Sequence, residues 1–172
     1  MSMFALRPGH LRMGVHAMTP LFKKLNLADT RLIHVLNAPE SFEQELRALD
    51  GVEIEREVRD RVVFALAFVK TYKEVEVATA TLVQAADGDA QLWMVYPKGS
   101  SKKYKCEFKR ETGWTALGAA GYEPVRQVAI DEDWSALRFR KVEFIKTMTR
   151  NPDGAISRAG RTKALAQRPG ET

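Results

Sequence analysis

The sequence predicts a three-layer α/β domain with a mostly parallel sheet of about six strands and an antiparallel C-terminal hairpin. Three observations carry this. Strand-like runs alternate with stretches of helical spacing in the order β-α-β-β-α-β-α-β-β. Val62–Val69 is apolar at every position, which implies a central strand covered on both faces, as in parallel sheets. Asp131–Asp133 leaves only a tight connection between the last two strands, which fits a hairpin.

Taken in order, residues 1–20 show neither a helical nor a strand period and are expected to form a disordered or extended leader. Thr19 and Pro20 read as the N-cap and first residue of a short helix carrying Leu21, Phe22 and Leu25. Arg31–Leu36 is a β-branched and apolar run of strand length, ended by Asn37, Ala38 and Pro39. Phe42, Leu46 and Leu49 then recur at helical spacing, and Asp50-Gly51 closes that helix. Val52–Val58 alternates with glutamates, the pattern of a strand with one wet face near a sheet edge.

After the apolar strand, residues 72–86 place Val75, Ala78, Thr79, Leu82 and Val83 on one helical face. Ala86–Asp89 is expected to break the chain before the strand Gln91–Tyr96. Trp114, Leu117 and Ala120 give another helix, with Gly121 in the left-handed position beyond its end. Tyr122–Ile130 and Trp134–Val142 form the hairpin strands. Residues 21–146 are thus read as one domain, and 147–172 as a basic, mostly flexible tail with one helical turn.

Composition excludes several function classes. The single cysteine, Cys106, rules out an internal disulfide, and no Cys/His cluster has zinc-ligand spacing. No apolar run approaches the ~20 residues of a membrane span, so a cytoplasmic, reducing-compartment protein is expected. The net charge of +5 resides in the ends: residues 1–30 and 147–172 contribute +3 each, leaving the 31–146 core at −1. A nucleic-acid-binding domain concentrates its excess on a folded face, so nucleic acid is not expected as a partner.

Right-handed crossovers would place Asn37, Lys70 and Lys98 on the carboxyl edge of the sheet, where open α/β sheets bind ligands. The turn after the fourth strand, Lys98-Gly99-Ser100-Ser101-Lys102, offers ammonium charge, hydroxyls and turn N–H groups suited to a phosphate or carboxylate. It lacks the G-x-x-x-x-G-K-[ST] spacing of a P-loop. The candidate anion site is therefore Asn37, Lys98, Gly99, Ser100, Ser101 and Lys102. No catalytic residue is assigned. His34 reads as a core histidine, Cys106 as a spectator thiol, Asp131–Asp133 as diverging loop acids, and Trp134-Ser135 as a packing anchor with a turn hydroxyl. Arg138 is a residue that could reach the sheet edge.

Leu36–Glu40, Leu92–Lys98 and Asp133–Phe139, in that order, resemble a bacterial domain family of unknown function over residues 21–145. That family in turn resembles a Rossmann-like domain, close to a reduced methyltransferase. Asp87–Trp93 is similar to the glycine turn and strand that follow the fourth helix of methyltransferases. The resemblance implies a fold and no set activity. The turn after the first strand departs from methyltransferases: Asn37–Ser41 has no glycine, and Pro39 removes a donor. Glu55 or Glu57 stands where an acidic residue would bind ribose hydroxyls. The reading is a non-catalytic binding or regulatory domain for an anionic small molecule or a protein partner, with no cofactor expected. The alternative is a degenerate methyltransferase-like enzyme using S-adenosylmethionine or another nucleotide cofactor.

Overall fold

A computed structural model describes residues 18–148 and 154–167. The expected leader lies outside these residues except for its last three positions, as do Asn151–Asp153 of the C-terminal turn. The chain runs α1 (Pro20–Lys24), β1 (Leu32–Leu36), a 3-10 turn (Glu40–Phe42) continuing into α2 (Glu43–Arg47), β2 (Glu53–Glu55), β3 (Val62–Phe68), α3 (Tyr72–Ala85) and β4 (Ala86–Pro97). It ends with α4 (Thr115–Ala119), β5 (Tyr122–Ala129), β6 (Trp134–Lys141), a second 3-10 turn (Val142–Phe144) and α5 (Arg158–Ala166). One sheet joins all six strands in the order β2-β1-β3-β4-β6-β5. The β2-β1, β1-β3 and β3-β4 pairs are parallel, and β6 is inserted antiparallel to both β4 and β5.

The uninterrupted apolar run of β3 makes it central, because alternate residues fill two separate cores. Ala65, Ala67 and Val69 join Leu92, Met94 and Phe139 under α3 and α4. Phe64, Leu66 and Phe68 join Ile33, Val35, Trp93 and Val95 under α1 and α2. The period of two in a strand converts one sequence run into two helix-covered faces, which is the three-layer arrangement.

Local chemistry sets several boundaries as the sequence predicts. Thr19 Oγ1 accepts from Phe22 N at 3.1 Å to start α1, and Gly121 sits at φ +86 just past α4. The longest helix, α3, starts with a reciprocal cap: Glu74 N donates to Thr71 Oγ1, and Thr71 N donates to Glu74 Oε1, both at 3.1 Å. Thr71→Ala removes an acceptor for that first turn, and an equilibrium urea titration is expected to show a loss of about 1 kcal/mol.

Three expectations are corrected. The second strand spans only Glu53–Glu55, because Arg56 turns out of the ladder to form a two-pronged pair with Glu43 at 2.6 and 2.7 Å. Ala86–Asp89 does not break the chain before β4. It belongs to the strand as an irregular bulge with three extra residues, since Val62 lies opposite Ala86 but Phe64 opposite Gln91. Gly88 supplies the left-handed residue at φ +56, and Asp89 is held there by Arg140, whose Nε donates at 2.9 Å.

The third correction concerns the C-terminal segment. Residues 154–167, expected as part of a mostly flexible tail, carry the nine-residue α5 docked on the domain. Its aperiodic composition concealed polar anchors. Lys163 Nζ donates to Val142 O at 3.1 Å, Gln167 Nε2 donates to Lys146 O at 3.0 Å, and Ala164 packs with Ile145 and Met148.

Candidate functional site

The chain leaves β1 and β3 toward opposite faces. The turn and α2 after β1 bury Phe42 and Leu46 in one core, whereas α3 after β3 buries Val75, Ala78 and Leu82 in the other. This reversal puts a topological switch point at the carboxyl ends of β1 and β3, the place where open α/β sheets receive ligands in a crevice. Asn37 marks its β1 side and adopts φ +59. Asparagine is among the few non-glycine residues that tolerate this region, so the sharp departure from β1 forms without glycine. On the neighbouring strand, Glu55 ends β2 with about a third of its side chain exposed, its carboxylate 4.0 Å from His34 Nε2. Glu57 instead pairs with Arg59 at 3.1 Å in solvent.

The β3 side of the crevice is already supplied with anions. Glu74 Oε1 accepts from both Lys70 N at 2.8 Å and Thr71 N, while Glu107 Oε1 accepts from Tyr72 N at 3.2 Å. The positive end of the α3 dipole is thus occupied by two carboxylates of the chain itself. The loop that carries Glu107 is tied down over this point, with Glu107 N donating to Lys70 O at 2.9 Å. A ligand phosphate at the start of α3 would have to displace both.

Farther along the same edge, a groove of about 650 Å³ opens beside the end of β4. Tyr96, Ser135 and Gln127, from β4, β6 and β5, form its polar floor. Gln127 Nε2 donates to Ser135 Oγ at 3.0 Å and to the Tyr96 phenol oxygen at 3.5 Å. Burial pushes the Tyr96 phenol up, only partly opposed by the neighbouring Ser135 hydroxyl, so it stays a protonated donor. Phe108 forms an apolar wall, with Lys98, Lys109 and Arg110 around the rim.

The six residues of the sequence-derived anion site do not converge. Lys98, Gly99 and Ser100 line this groove. Lys102 lines an adjoining cleft of about 510 Å³, which shares Ser100 with the groove and includes Glu132 and Asp133. The Ser101 hydroxyl is consumed in folding the turn, donating to Asp133 Oδ1 at 2.8 Å and accepting from Tyr104 N at 3.0 Å. Asn37 immediately follows β1, two strands from β4 and so roughly 10 Å away across the sheet. Sequence reasoning missed Tyr96, Gln127 and Ser135, which meet only once the β4-β6-β5 register is formed, and Lys109 and Arg110 on the following loop.

The remaining candidates have structural roles. Asp131 Oδ1 accepts from Asp133 N and Trp134 N at 2.8 and 2.9 Å and so builds the hairpin turn. Trp134 is a packing anchor against Phe68 and Tyr104, with ring centroids 5.2 and 4.8 Å away. Ser135, expected as a turn hydroxyl, is instead a buried strand residue in the groove floor. Arg138 does not reach the edge. It lies within β6 opposite Trp93, and burial lowers its pKa. Burial also pushes the Cys106 thiol up, against thiolate reactivity. Among the described residues no His, Cys, Asp or Glu group is placed to hold a metal, and no helix is long and apolar enough to cross a membrane.

No known family profile and no curated protein matches the sequence. Solved structures do match its fold. A SAM-dependent methyltransferase from Aquifex aeolicus aligns at TM-score 0.50 and 12% identity, covering 75% of this chain and 92% of that one. The chain has a methyltransferase-like Rossmann fold. Other similar structures are the N-methyltransferase NodS from Bradyrhizobium japonicum WM9, with 13% identity, TM-score 0.47, and coverage of 80% and 99%, and the pyocyanin biosynthetic protein PhzM, with 12% identity, TM-score 0.45, and coverage of 70%. The chain spans 54% of the length of PhzM. Within the methyltransferase-like fold, Asn37 directly follows the first strand and Glu55 ends the second.

Proposed function

We propose that this chain is a cytoplasmic, methyltransferase-type domain that binds S-adenosylmethionine, or a nucleoside of that kind, in the crevice between β1 and β3. The observation that carries the reading is the left-handed backbone of Asn37 at the end of β1. A glycine-rich turn serves a nucleoside by turning sharply and leaving the backbone open to approach. Asn37 provides the same turn, which removes the objection raised by the missing glycine. Glu55 is the acceptor for the ribose hydroxyls, and the cationic sulfonium suits a crevice edged by Glu74 and Glu107 better than a phosphate would.

A second reading, a domain that binds without transferring a methyl group, is favoured by the loop bonded across Lys70. It narrows the β3 side, where a methyl acceptor would have to enter.

Titrating the full chain with S-adenosylmethionine and S-adenosylhomocysteine tests the first reading. At a hundred times Kd, either ligand is expected to add about 2.7 kcal/mol of stability. Glu55→Gln should weaken binding roughly tenfold through loss of a charged hydrogen bond. Asn37→Gly should keep the response and Asn37→Val should lose it, because a β-branched residue resists φ +59. No thermal shift with either ligand at millimolar concentration would sink the reading.

A further inference from the structure

We propose that the groove at the end of β4 is a separate ligand site for a small molecule bearing a carboxylate or phosphate on a planar aromatic body. Its charge is one-sided. Lys98, Lys109 and Arg110 line it, and among the described residues no carboxylate lies within ion-pair distance of any of the three. The lysines at 102 and 103, four and five residues beyond Lys98, instead share a cleft with Glu132 and Asp133. Lys98 thus faces a lining without carboxylates, whereas Lys102 and Lys103 face one that contains two.

The floor specifies a directed contact. Gln127 Nε2 donates to Ser135 Oγ at 3.0 Å and to the Tyr96 phenol oxygen at 3.5 Å, which leaves the Tyr96 O–H as the proton of that group to be donated. An acceptor oxygen in the groove completes the series. The apolar wall specifies the body of the ligand. Phe108 is buried, with its ring centroid 6.1 Å from Tyr96 and 4.9 Å from Trp114, and a planar ring can extend this aromatic group.

The rim is held in place before any ligand arrives. Trp114 Nε1 donates to Arg110 O at 2.7 Å, and Lys109 N donates to Thr112 Oγ1 at 2.9 Å, so the loop that carries two of the cations has a fixed path. Lys98 N donates to Asp133 O at 2.8 Å, which fixes the third independently of its side chain. Such preorganisation lowers the ordering cost of binding. The inference stands apart from the nucleoside reading, since the two sites share no residue named for either.

Titrating the full chain with benzoate and phenyl phosphate, followed by amide and Gln side-chain NMR shifts, tests it, with benzyl alcohol as the uncharged control. Both anions, or one of them, are expected to shift Gly99, Gln127 and Arg110 signals, and the preferred one identifies carboxylate or phosphate as the recognised head. Benzyl alcohol should bind at least roughly tenfold more weakly, the loss set by one charge-assisted hydrogen bond. K98A with R110A should reduce affinity roughly a hundredfold, Tyr96→Phe roughly fivefold, and K102A with K103A less than roughly twofold. The proposal is overturned if neither anion moves these signals, if benzyl alcohol binds as well as the anions, or if K102A with K103A weakens binding as much as K98A with R110A. Unchanged thermal melting of the rim variants separates loss of the site from loss of the fold.

Discussion

Glu123→Ala is expected to cost about 3–5 kcal/mol and to release the C-terminal helix before the sheet unfolds. Glu123 is fully buried on β5, and its carboxylate is the anchor of α5. Oε1 accepts from Ile156 N at 3.1 Å, and Oε2 accepts from both Ser157 N and Ser157 Oγ at 2.5 Å. Ser157 in turn caps the helix, accepting from Gly160 N at 2.8 Å. Alanine would leave two backbone N–H groups and a hydroxyl without their charged acceptor in a dry site, each costing about 1–3 kcal/mol. A negative charge at a helix N-terminus is also favourable, so the loss exceeds that of three neutral bonds.

The same geometry explains Gly160. A Cβ there would lie 2.4 Å from Glu123 Oε2, so Gly160→Ala drives the carboxylate off its donors. The two substitutions damage one site and should not add: the double variant is expected to lose clearly less than the sum. Urea denaturation gives the energies, and amide exchange over residues 154–167 tells helix release from global unfolding. A Glu123→Ala loss below about 1 kcal/mol would contradict the buried-anchor account.

What the sequence disclosed divides along physical lines. Features written in adjacent residues were legible: the two-faced apolar run of β3, the Thr19-Pro20 start and the Gly121 stop each depend on neighbours within one turn or strand. Ser157 followed by a helix was available as a capping signal, but its carboxylate partner lies 34 residues earlier. No local pattern announces such a pair. Asn37 was seen as a missing glycine, because residue type alone does not reveal φ. The groove was half seen: Lys98, Gly99 and Ser100 are contiguous, whereas Tyr96, Ser135 and Gln127 share a face only through the pairing of three strands. Lys102 and Ser101 looked equivalent to Lys98 until the hairpin acids were folded against them.

Gly113→Ala is expected to destabilise the domain by about 2–4 kcal/mol and to disable the groove without replacing any residue that lines it. Gly113 sits at φ +91, where an L side chain costs about 1–2 kcal/mol. Its Cβ would also lie 2.5 Å from Phe108 Cγ and 2.8 Å from Phe108 Cβ. The ring cannot yield cheaply, because it is packed edge-on against Trp114 and beside Tyr96. Overpacking of this kind costs about 1–3 kcal/mol more. The two causes are separable. Combining Gly113→Ala with Phe108→Ala removes the clash with the ring but keeps the backbone strain and the close approach to Cβ of residue 108, so the double variant should lose less than the sum of the singles. Gly99→Ala is the matched control: it lines the groove, has no atom within 4 Å of its added Cβ, and should change stability by less than about 0.5 kcal/mol. Since Lys109 and Arg110 ride on the loop that Gly113 closes, anion affinity should fall in Gly113→Ala even under conditions where the domain stays folded. Equal binding by Gly113→Ala and wild type, measured by the same NMR titration, would mean that the rim cations do not depend on this turn for their position.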